Sequence, residues 1–542
     1  MTDHSTSQVQ IERLITTMTD HLTTLTRSLS QWMTSEARSL GDLEQQVLRT
    51  IKDVGAALLT GVAHLAVPAY PPATTPCPCG QTATNPRRRT ATVKTVLGPI
   101  TLTRPYYTCA TCHHGLCPLD QHLGVCAGGI SAGLDELLAL LGATEDSFSA
   151  AAEVLEKLTL VTVCPNTVRE ATEQLGQVLR AHEQQVMATA QATTTAPLVR
   201  QPPAPRMYVS MDGVLVHIRG VGWKELKLGS VYSTCERRTR RAPDRCTVTT
   251  VAPSFVTDLS DAASFGPQLW AAAVARGVLA ATELVVLGDG SHWIWDLARI
   301  YFPEAVQILD WYHASGYLWG AAHAIYGEGS DLATRWAHQH LALLWDGKVL
   351  EVLETLQTQV TAGAAVSEAL SYYTYHQERM RYDTYRARGM QVGSGSIESG
   401  CKQVIGARLK QAGMRWEADG ATAVATVRSW QKSGRWAEAM ALRPRRQRTY
   451  QRQSERERSA VCPAQAGRGG QQEQAAVEHA LVRQTKQRRQ SKPAESAENV
   501  RAPSEAPTRP AATHPWRKPW SVRQQCQVAE ARCADATVAS AA

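Results

Sequence analysis

Two short apolar runs, each delivering an aspartate into a bed of small residues, constrain this chain more than any other feature. The first is Met207-Tyr208-Val209-Ser210-Met211 ahead of Asp212-Gly213; the second is Leu284-Val285-Val286-Leu287 ahead of Gly288-Asp289-Gly290. Runs of that length and apolarity read as buried strands, each ending at its aspartate with the carboxylate exposed. A third acid, Glu398, lies in Gly393-Ser394-Gly395-Ser396-Ile397-Glu398-Ser399. There the glycines predict a turn, Ser396 an N-cap, and Glu398 through Gln411 a helix that stops before Gly413. Three carboxylates converging on one spot repel one another, so the pattern predicts a charged site that divalent cations stabilise.

The order of elements around these acids is informative. After the Asp212 strand come candidate strands at 225–233 and 246–251, a helix at 262–276, the Asp289 strand, and a strand at 305–309 that runs into Asp310-Trp311-Tyr312-His313. Strand, strand, strand, helix, strand places the two aspartates on adjacent strands of one sheet. Asp310 competes with Asp289 for a ligand position. Asp289 is preferred because a glycine on either side leaves room for a metal and a phosphate, with Asp310 and His313 either supporting the site or purely structural. Helical sequence then follows, of which about 331–384 reads as an insertion.

Thirteen cysteines, five of them between Cys77 and Cys117, predict metal ligation or scattered thiols ahead of disulfides. Segments 90–96 and 100–107 alternate in polarity about Leu97-Gly98-Pro99, and cysteine pairs flank the resulting hairpin. That layout predicts a zinc ribbon in which Cys77, Cys79, Cys109 and Cys112 bind one structural Zn²⁺ as thiolates. The single residue between Cys77 and Cys79 is tight for two ligands, and Cys117, His113 or His114 are the alternatives.

At 542 residues the chain should divide into several units, at roughly 150 residues each. The expected divisions are a helical region at 1–66, the zinc-ribbon-like domain at 67–126, a helical region and linker at 127–200, an α/β domain at 201–442, and a basic, disordered tail at 443–542. In the first, Ile11, Leu14, Ile15, Met18, Leu22 and Leu25 share a helix face suited to packing or oligomerisation. Proline-rich 66–76 and the Thr, Ala and Pro-rich 190–205 read as linkers. The tail holds 19 Lys+Arg against 9 Asp+Glu, out of 57 and 49 in the whole chain, so the cationic excess belongs to it. No apolar stretch reaches the length of a membrane span, and the first residues lack a secretory signal pattern, so a cytoplasmic location is expected. A Walker lysine motif is absent, which leaves a P-loop ATPase without a site.

Residues 131–180 read as three helices, the last opening Pro165-Asn166-Thr167-Val168-Arg169. This is compatible either with a helix-turn-helix reader of DNA or with helices that only pack. Beyond Glu398, Lys402 is placed to touch a phosphate or to pair with Glu398 one turn back. Arg408, Lys410, Arg415 and Trp416 make a basic cluster with an aromatic, suited to DNA contacts or to a solvated helix face. The tyrosine and arginine run at 372–388 is a further candidate DNA contact, with helix packing the favoured reading for Tyr372 and Tyr375.

Taken in order, several segments resemble bacterial insertion-sequence transposases of the ISKra family, DDE enzymes with an RNase H-like core. They are Tyr106-Tyr107-Thr108-Cys109-Ala110-Thr111-Cys112, Met211-Asp212-Gly213, Gly288-Asp289-Gly290 with Trp293-Ile294, and Asp310-Trp311-Tyr312-His313. Gly393 through Lys402, Arg408-Leu409-Lys410 and Gly413-Met414-Arg415-Trp416 complete the set. The resemblance covers about residues 77–440. It implies that Asp212, Asp289 and Glu398 form a catalytic triad holding two Mg²⁺ (or Mn²⁺) ions. It also implies cleavage and strand transfer on double-stranded DNA, at element ends and target, by a nucleoid-associated homo-oligomer. The competing expectations are an inactive transposase-derived zinc-ribbon DNA-binding protein and an RNase H-like nuclease without strand transfer.

Overall fold

The computed structural model describes residues 2–35, 39–67, 71–126, 128–192, 204–239, 242–443 and 450–451. These belong to one contact unit, Met1–Arg452. The expected tail lies outside the described residues apart from Arg443 and Tyr450–Gln451, as does 193–203 of the second linker. The chain is a mixed α+β protein with two mixed sheets. Among the described residues no helix is long and apolar enough to cross a membrane.

Helices Thr2–Ser35 and Leu40–Leu65 open the chain, the second started by a Ser39/Asp42 capping box. Gly61 lies under Leu14, where a Cβ would come within 2.4 Å of the leucine side chain. The apolar stripe on the first helix is therefore split. Leu14, Met18 and Leu25 are half-buried, whereas Ile11, Ile15 and Leu22 face solvent.

The first sheet is built from β1 (Thr74–Pro76), β2 (Thr82–Thr95), β3 (Gly98–Cys109), β4 (His114–Leu116), β5 (Val125–Cys126) and β6 (Ile130–Ser131). The hairpin is longer than its alternation predicts, and Gly98 at φ +118° supports its tight turn. One hairpin face, with Val93, Ile100 and Leu102, packs on Ala56, Leu59 and Ala63 of the second helix. Helices Ala132–Thr144, Phe148–Thr159 and Pro165–Ala192 follow, the first two N-capped by Ser131 and Ser147. The third runs beyond the predicted end at 180 because its inner face is covered. At Gly176 a Cβ would sit 2.3 Å from the Ala423 carbonyl oxygen, so helix Ala418–Lys432 approaches it backbone to backbone.

The second sheet contains β7 (Arg206–Ile218), β8 (Gly222–Thr239), β9 (Ala242–Asp258), β10 (Glu283–Gly288) and β11 (Val306–Leu309), in the order β11-β10-β7-β8-β9. β7, β8 and β9 form an antiparallel meander, while β10 and β11 lie parallel to β7. β12 (Tyr450–Gln451) returns to pair with β4 in the first sheet. Helix Ala262–Ala275, N-capped by Asp261, packs across the second sheet; its Leu269 and Phe265 occupy the space that a side chain at Gly229 would need.

Asp212 does not end its strand. β7 continues six residues past it, paired with β8 through Ile218↔Gly222, because Val214, Val216 and Ile218 resume the alternation. Nor does Ser396 cap the Glu398 helix. The helical run begins at Gly395, so Ser396 lies inside it, and it proceeds as Gly395–Gly400, a π-helical turn Cys401–Gly406, and Ala407–Leu409. Its apolar side, Ile397, Cys401, Val404, Ile405 and Leu409, packs on Val216, Leu226 and Leu228 of β7 and β8. The region expected as an insertion forms Asp331–Trp345, Val349–Thr358, Ala364–His376 and Tyr382–Ala387.

Candidate metal centres

Two acids and a histidine, Asp310, Glu398 and His313, meet beside the second sheet, and the strands that carry Asp212 and Asp289 belong to that sheet. Asp212 projects from mid-β7, opposite Leu228; its Oδ1 accepts the Gly213 N–H at 2.6 Å and its Oδ2 the Cys401 thiol at 3.3 Å. Burial raises the Asp212 pKa and the nearby Asp289 charge adds to it, against the Gly213 amide, Cys401 and His313. Asp289 follows β10 directly, with Oδ1 accepting the Ser291 N–H at 2.9 Å. The flanking glycines are not there to leave room for a ligand. A Cβ at Gly288 would meet Ile294 at 2.8 Å, and one at Gly290, where φ is +105°, would meet the Tyr372 hydroxyl at 2.5 Å. That hydroxyl donates to the Asp289 carbonyl at 2.7 Å, so helix Ala364–His376 braces the strand end that carries the acid.

Asp310 follows β11 in the same way but is fully buried. Its Oδ1 accepts the Ser394 N–H at 2.5 Å; its Oδ2 accepts the His313 N–H at 2.8 Å and faces His313 Nδ1 at 2.7 Å. Both oxygens are thus engaged by N–H donors, and a carboxylate beside Nδ1 keeps the proton there, leaving Nε2 as the lone-pair nitrogen. Burial pulls the His313 pKa down, but the Asp310 hydrogen bond and the charges of Asp310, Asp289 and Glu398 outweigh it and leave it raised. Ser394 Oγ donates to Glu398 Oε1 at 3.3 Å, and Lys402 Nζ lies 3.8 Å from Oε2.

Asp310, His313 and Glu398 each offer a ligand atom within 4.8 Å of the others. Asp212 adjoins them through the Cys401 thiol, whose pKa burial raises and the charges of Asp212, Glu398 and Asp289 raise further. Of the three expected acids only Glu398 belongs to that group, with Asp310 and His313 as its other members; Asp289 is not among its members. Cys401 was not foreseen as a site residue, although it lies one helical turn beyond Glu398 and shares its face. Tyr372 was singled out only within the 372–388 run, and its place beside Asp289 had no sequence signal because its approach depends on how the insertion folds back. A cavity of about 1090 Å³ opens at the other ends of the parallel strands, lined by Arg206, Glu283, Val306 and Trp270, and includes none of these acids.

The second group is Cys77, Cys79, Cys109 and Cys112, whose sulfurs all lie within 4.8 Å of one another. The Cys77–Cys112 and Cys79–Cys109 sulfur pairs are 3.5 and 3.6 Å apart. A disulfide needs about 2.05 Å, whereas four thiolates around zinc at about 2.3 Å lie about 3.8 Å apart. The donor set fits zinc. The one-residue spacer is accommodated by a tight turn, with Gly80 at φ +83° and its N–H bonded to the Cys77 carbonyl at 2.9 Å. Backbone N–H groups point at the sulfurs, and that of Cys112 leads in lowering the Cys109 thiol to about 6. Cys117 stands outside the group, donating to the Pro105 carbonyl at 3.2 Å, with burial pushing its thiol up to about 11. His113 and His114 are also outside the group.

Of the expected DNA-contact residues, Lys402, Lys410 and Arg415 are exposed. Arg408 and Trp416 are not. Arg408 is 1% exposed, donates to the Gly142 and Asp146 carbonyls, and is stacked over Phe148 and Trp416. Trp416 donates its indole N–H to the Leu409 carbonyl and pairs its backbone with His217 and Arg219. The aromatic that might have stacked on a base instead gives the guanidinium a place in the core. At the start of the third helix, Arg169 is bonded to Asn166 and Glu173. Tyr372 packs on Tyr317 with ring centroids 3.9 Å apart. Comparison of the chain with protein-family models and with curated proteins finds no match to either.

Proposed function

We propose that this chain is a DDE transposase with an RNase H-like core, a metal-dependent enzyme that cuts and joins DNA strands. The observation that carries the reading is the sheet order β9-β8-β7-β10-β11, with Asp212 on its central strand, Asp289 at the end of the next, and Glu398 on a helix packed against β7 and β8. It is an arrangement in which two strands and a late helix deliver one acid each to a shared space. Asp289 and Glu398 each have one carboxylate oxygen held by a local donor and the other outside those bonds. Partly exposed carboxylates of this kind suit hard cations.

Asp212, Asp289 and Glu398 would hold the Mg²⁺ or Mn²⁺ ions, and bound ions supply Lewis acidity and a nucleophile of lowered pKa for in-line displacement at phosphorus. The chain's own contribution is placement. The Gly213 amide and Cys401 thiol fix the Asp212 carboxylate, Ser291 and Tyr372 fix Asp289, and Ser394 fixes Glu398. Asp310 ties the strand end to the Glu398 turn and holds the His313 ring through Nδ1. Lys402, pairing loosely with Glu398 and 80% exposed, is free to exchange that partner for a phosphate. The four cysteines would hold a structural zinc that staples the hairpin.

The test is strand transfer of a marked DNA segment, bounded by the gene's own flanking sequences, by the protein and its Asp212→Asn variant. Joining that disappears in the variant is the expected result. Full joining by Asp212→Asn overturns the triad. Cutting without joining makes the protein a nuclease, and binding to the flanks without either makes it a DNA-binding remnant.

A further inference from the structure

We propose that the outward face of the β2–β3 ribbon is a docking surface for the backbone of double-stranded DNA, separate from the carboxylates. The inference rests on the reading of DNA as substrate and adds the element that grips it. Alternate residues of β2 share a face, and Arg88, Thr90, Thr92 and Lys94 are all exposed. Thr101 and Thr103 stand beside them on β3, with the Thr90 and Thr103 hydroxyls 2.8 Å apart. The opposite face is core: Val93, Ile100 and Leu102 pack on the second helix. At the cysteine end, Arg87 and Arg89 are exposed too, and the Arg89 guanidinium lies 4.0 Å from the centroid of the Tyr106 ring. The ribbon is thus held from behind and presents chiefly cations and hydroxyls in front, with Pro99 beside Lys94.

Its charge is one-sided. Between Asp53 and Asp120 the sequence contains five Lys+Arg and no Asp or Glu. Of those five, Arg104 is turned inward to pair with Asp120 at 2.6 Å, leaving Arg87, Arg88, Arg89 and Lys94 at the surface. From Arg88 to Lys94 the strand spans about 20 Å. A surface of arginine, lysine and threonine is suited to phosphate oxygens, the cations through charge and the hydroxyls as donors. A two-stranded ribbon fits the B-form major groove, about 12 Å wide, whereas the corresponding groove of duplex RNA is too narrow to admit side chains.

The experiment is fluorescence-anisotropy titration of a labelled 30-base-pair DNA of arbitrary sequence with the full-length protein across a salt series. Proteins compared are wild type, R87A/R88A/R89A/K94A, R88A/K94A on the outward face alone, and R87K/R88K/R89K. Zinc content and circular dichroism check that each is folded. Each lost phosphate contact flattens the slope of log affinity against log salt by about 0.9. The fourfold variant is therefore expected to flatten it by about 3.6 and weaken binding about 10- to 100-fold at low salt. The pair should show about half that slope change, and the lysine variant should bind within about threefold of wild type. Equal slopes for wild type and R88A/K94A overturn the ribbon surface while leaving the function reading intact, since the wild type still binds. Wild type that binds no duplex overturns both. Weakening on duplex RNA but not on DNA overturns the choice of partner. Retained ribbon effects with an Asp212→Asn protein that still joins strands would sink the catalytic reading alone.

Discussion

The cysteine cluster and the carboxylate cluster both bring repelling, chelating side chains together, yet they are built by opposite means. Cys77 and Cys112 are 35 positions apart, and two tight turns at one end of a hairpin suffice to gather all four thiols. Asp212 and Cys401 are 189 positions apart, and their meeting requires the second sheet, the insertion and the π-turned helix all to be in place. In the first case the ligands hold the fold; in the second the fold holds the ligands. The thiols sit on a small core of Ala83, Tyr107 and Leu116, whereas the helix carrying Glu398 belongs to a cluster of thirteen buried residues. Removing a ligand should therefore destabilise the one region and barely disturb, or even relieve, the other.

The largest expected effect breaks the comparison if it fails. A structural zinc contributes about 10 kcal/mol or more to a domain of zinc-finger type, far more than the hairpin's own apolar contacts at this end. Stripping zinc with a chelator, or replacing Cys109 with Ser, should remove one zinc per chain by atomic absorption. Amide hydrogen-exchange protection should fall across β1, β4 and the cysteine ends of β2 and β3, while protection in β7 and β10 stays. Loss of protection in both sheets together would mean that the two regions are not separately supported.

The same contrast explains what could be read from the sequence. The cysteine pairs, the alternating strands and the apolar runs before Asp212 and Asp289 are local signals, and the elements they predict are present. Glu398 was legible as part of a helix because glycine and serine punctuate its start. The Ser396 misreading is local, but most of the others involve partners remote in sequence. Gly288 and Gly290 looked like space and proved to be contacts with Ile294 and Tyr372. Arg408 and Trp416 looked like a surface cluster because nothing local says that Gly142, Asp146 and Phe148 cover them. Asp212 looked like a strand end because Gly213 interrupts the apolar run, but the β8 partner that carries the strand onward is chosen by the whole hairpin.

A sharper test addresses how the fold holds its ligands. Asp310→Asn keeps shape but replaces one acceptor oxygen with an NH₂ that opposes the N–H donors of Ser394 or His313. Because Asp310 raises the His313 pKa, its removal should lower that pKa, visible in the imidazole resonances by NMR. Outer-shell partners of this type are worth about 10- to 100-fold in metal affinity or activity, so strand transfer should fall by that factor with zinc content unchanged. Undiminished strand transfer would reduce Asp310 to a packing residue.

The smallest effect has the most telling sign. Burial raises the Asp212 pKa in the folded chain, so across the interval from the ordinary carboxylate value up to the raised one the native state binds more protons than the unfolded state. Stability then falls as pH rises through that interval, and the deficit persists above it. Asp212→Asn removes the deficit while Oδ1 still accepts the Gly213 N–H. Without divalent ions the variant should be more stable than wild type at pH 7, and the advantage should vanish at pH 3. Adding millimolar Mg²⁺ should erase or reverse the difference at pH 7, since only the wild type retains the full set of charges that binding stabilises. Thermal denaturation at the two pH values, with and without Mg²⁺, reads all of this. A variant less stable than wild type at pH 7 without metal would mean that the Asp212 charge is already compensated by the chain, as the thiolates are not, and the proposed need for cations at this site would fall with it.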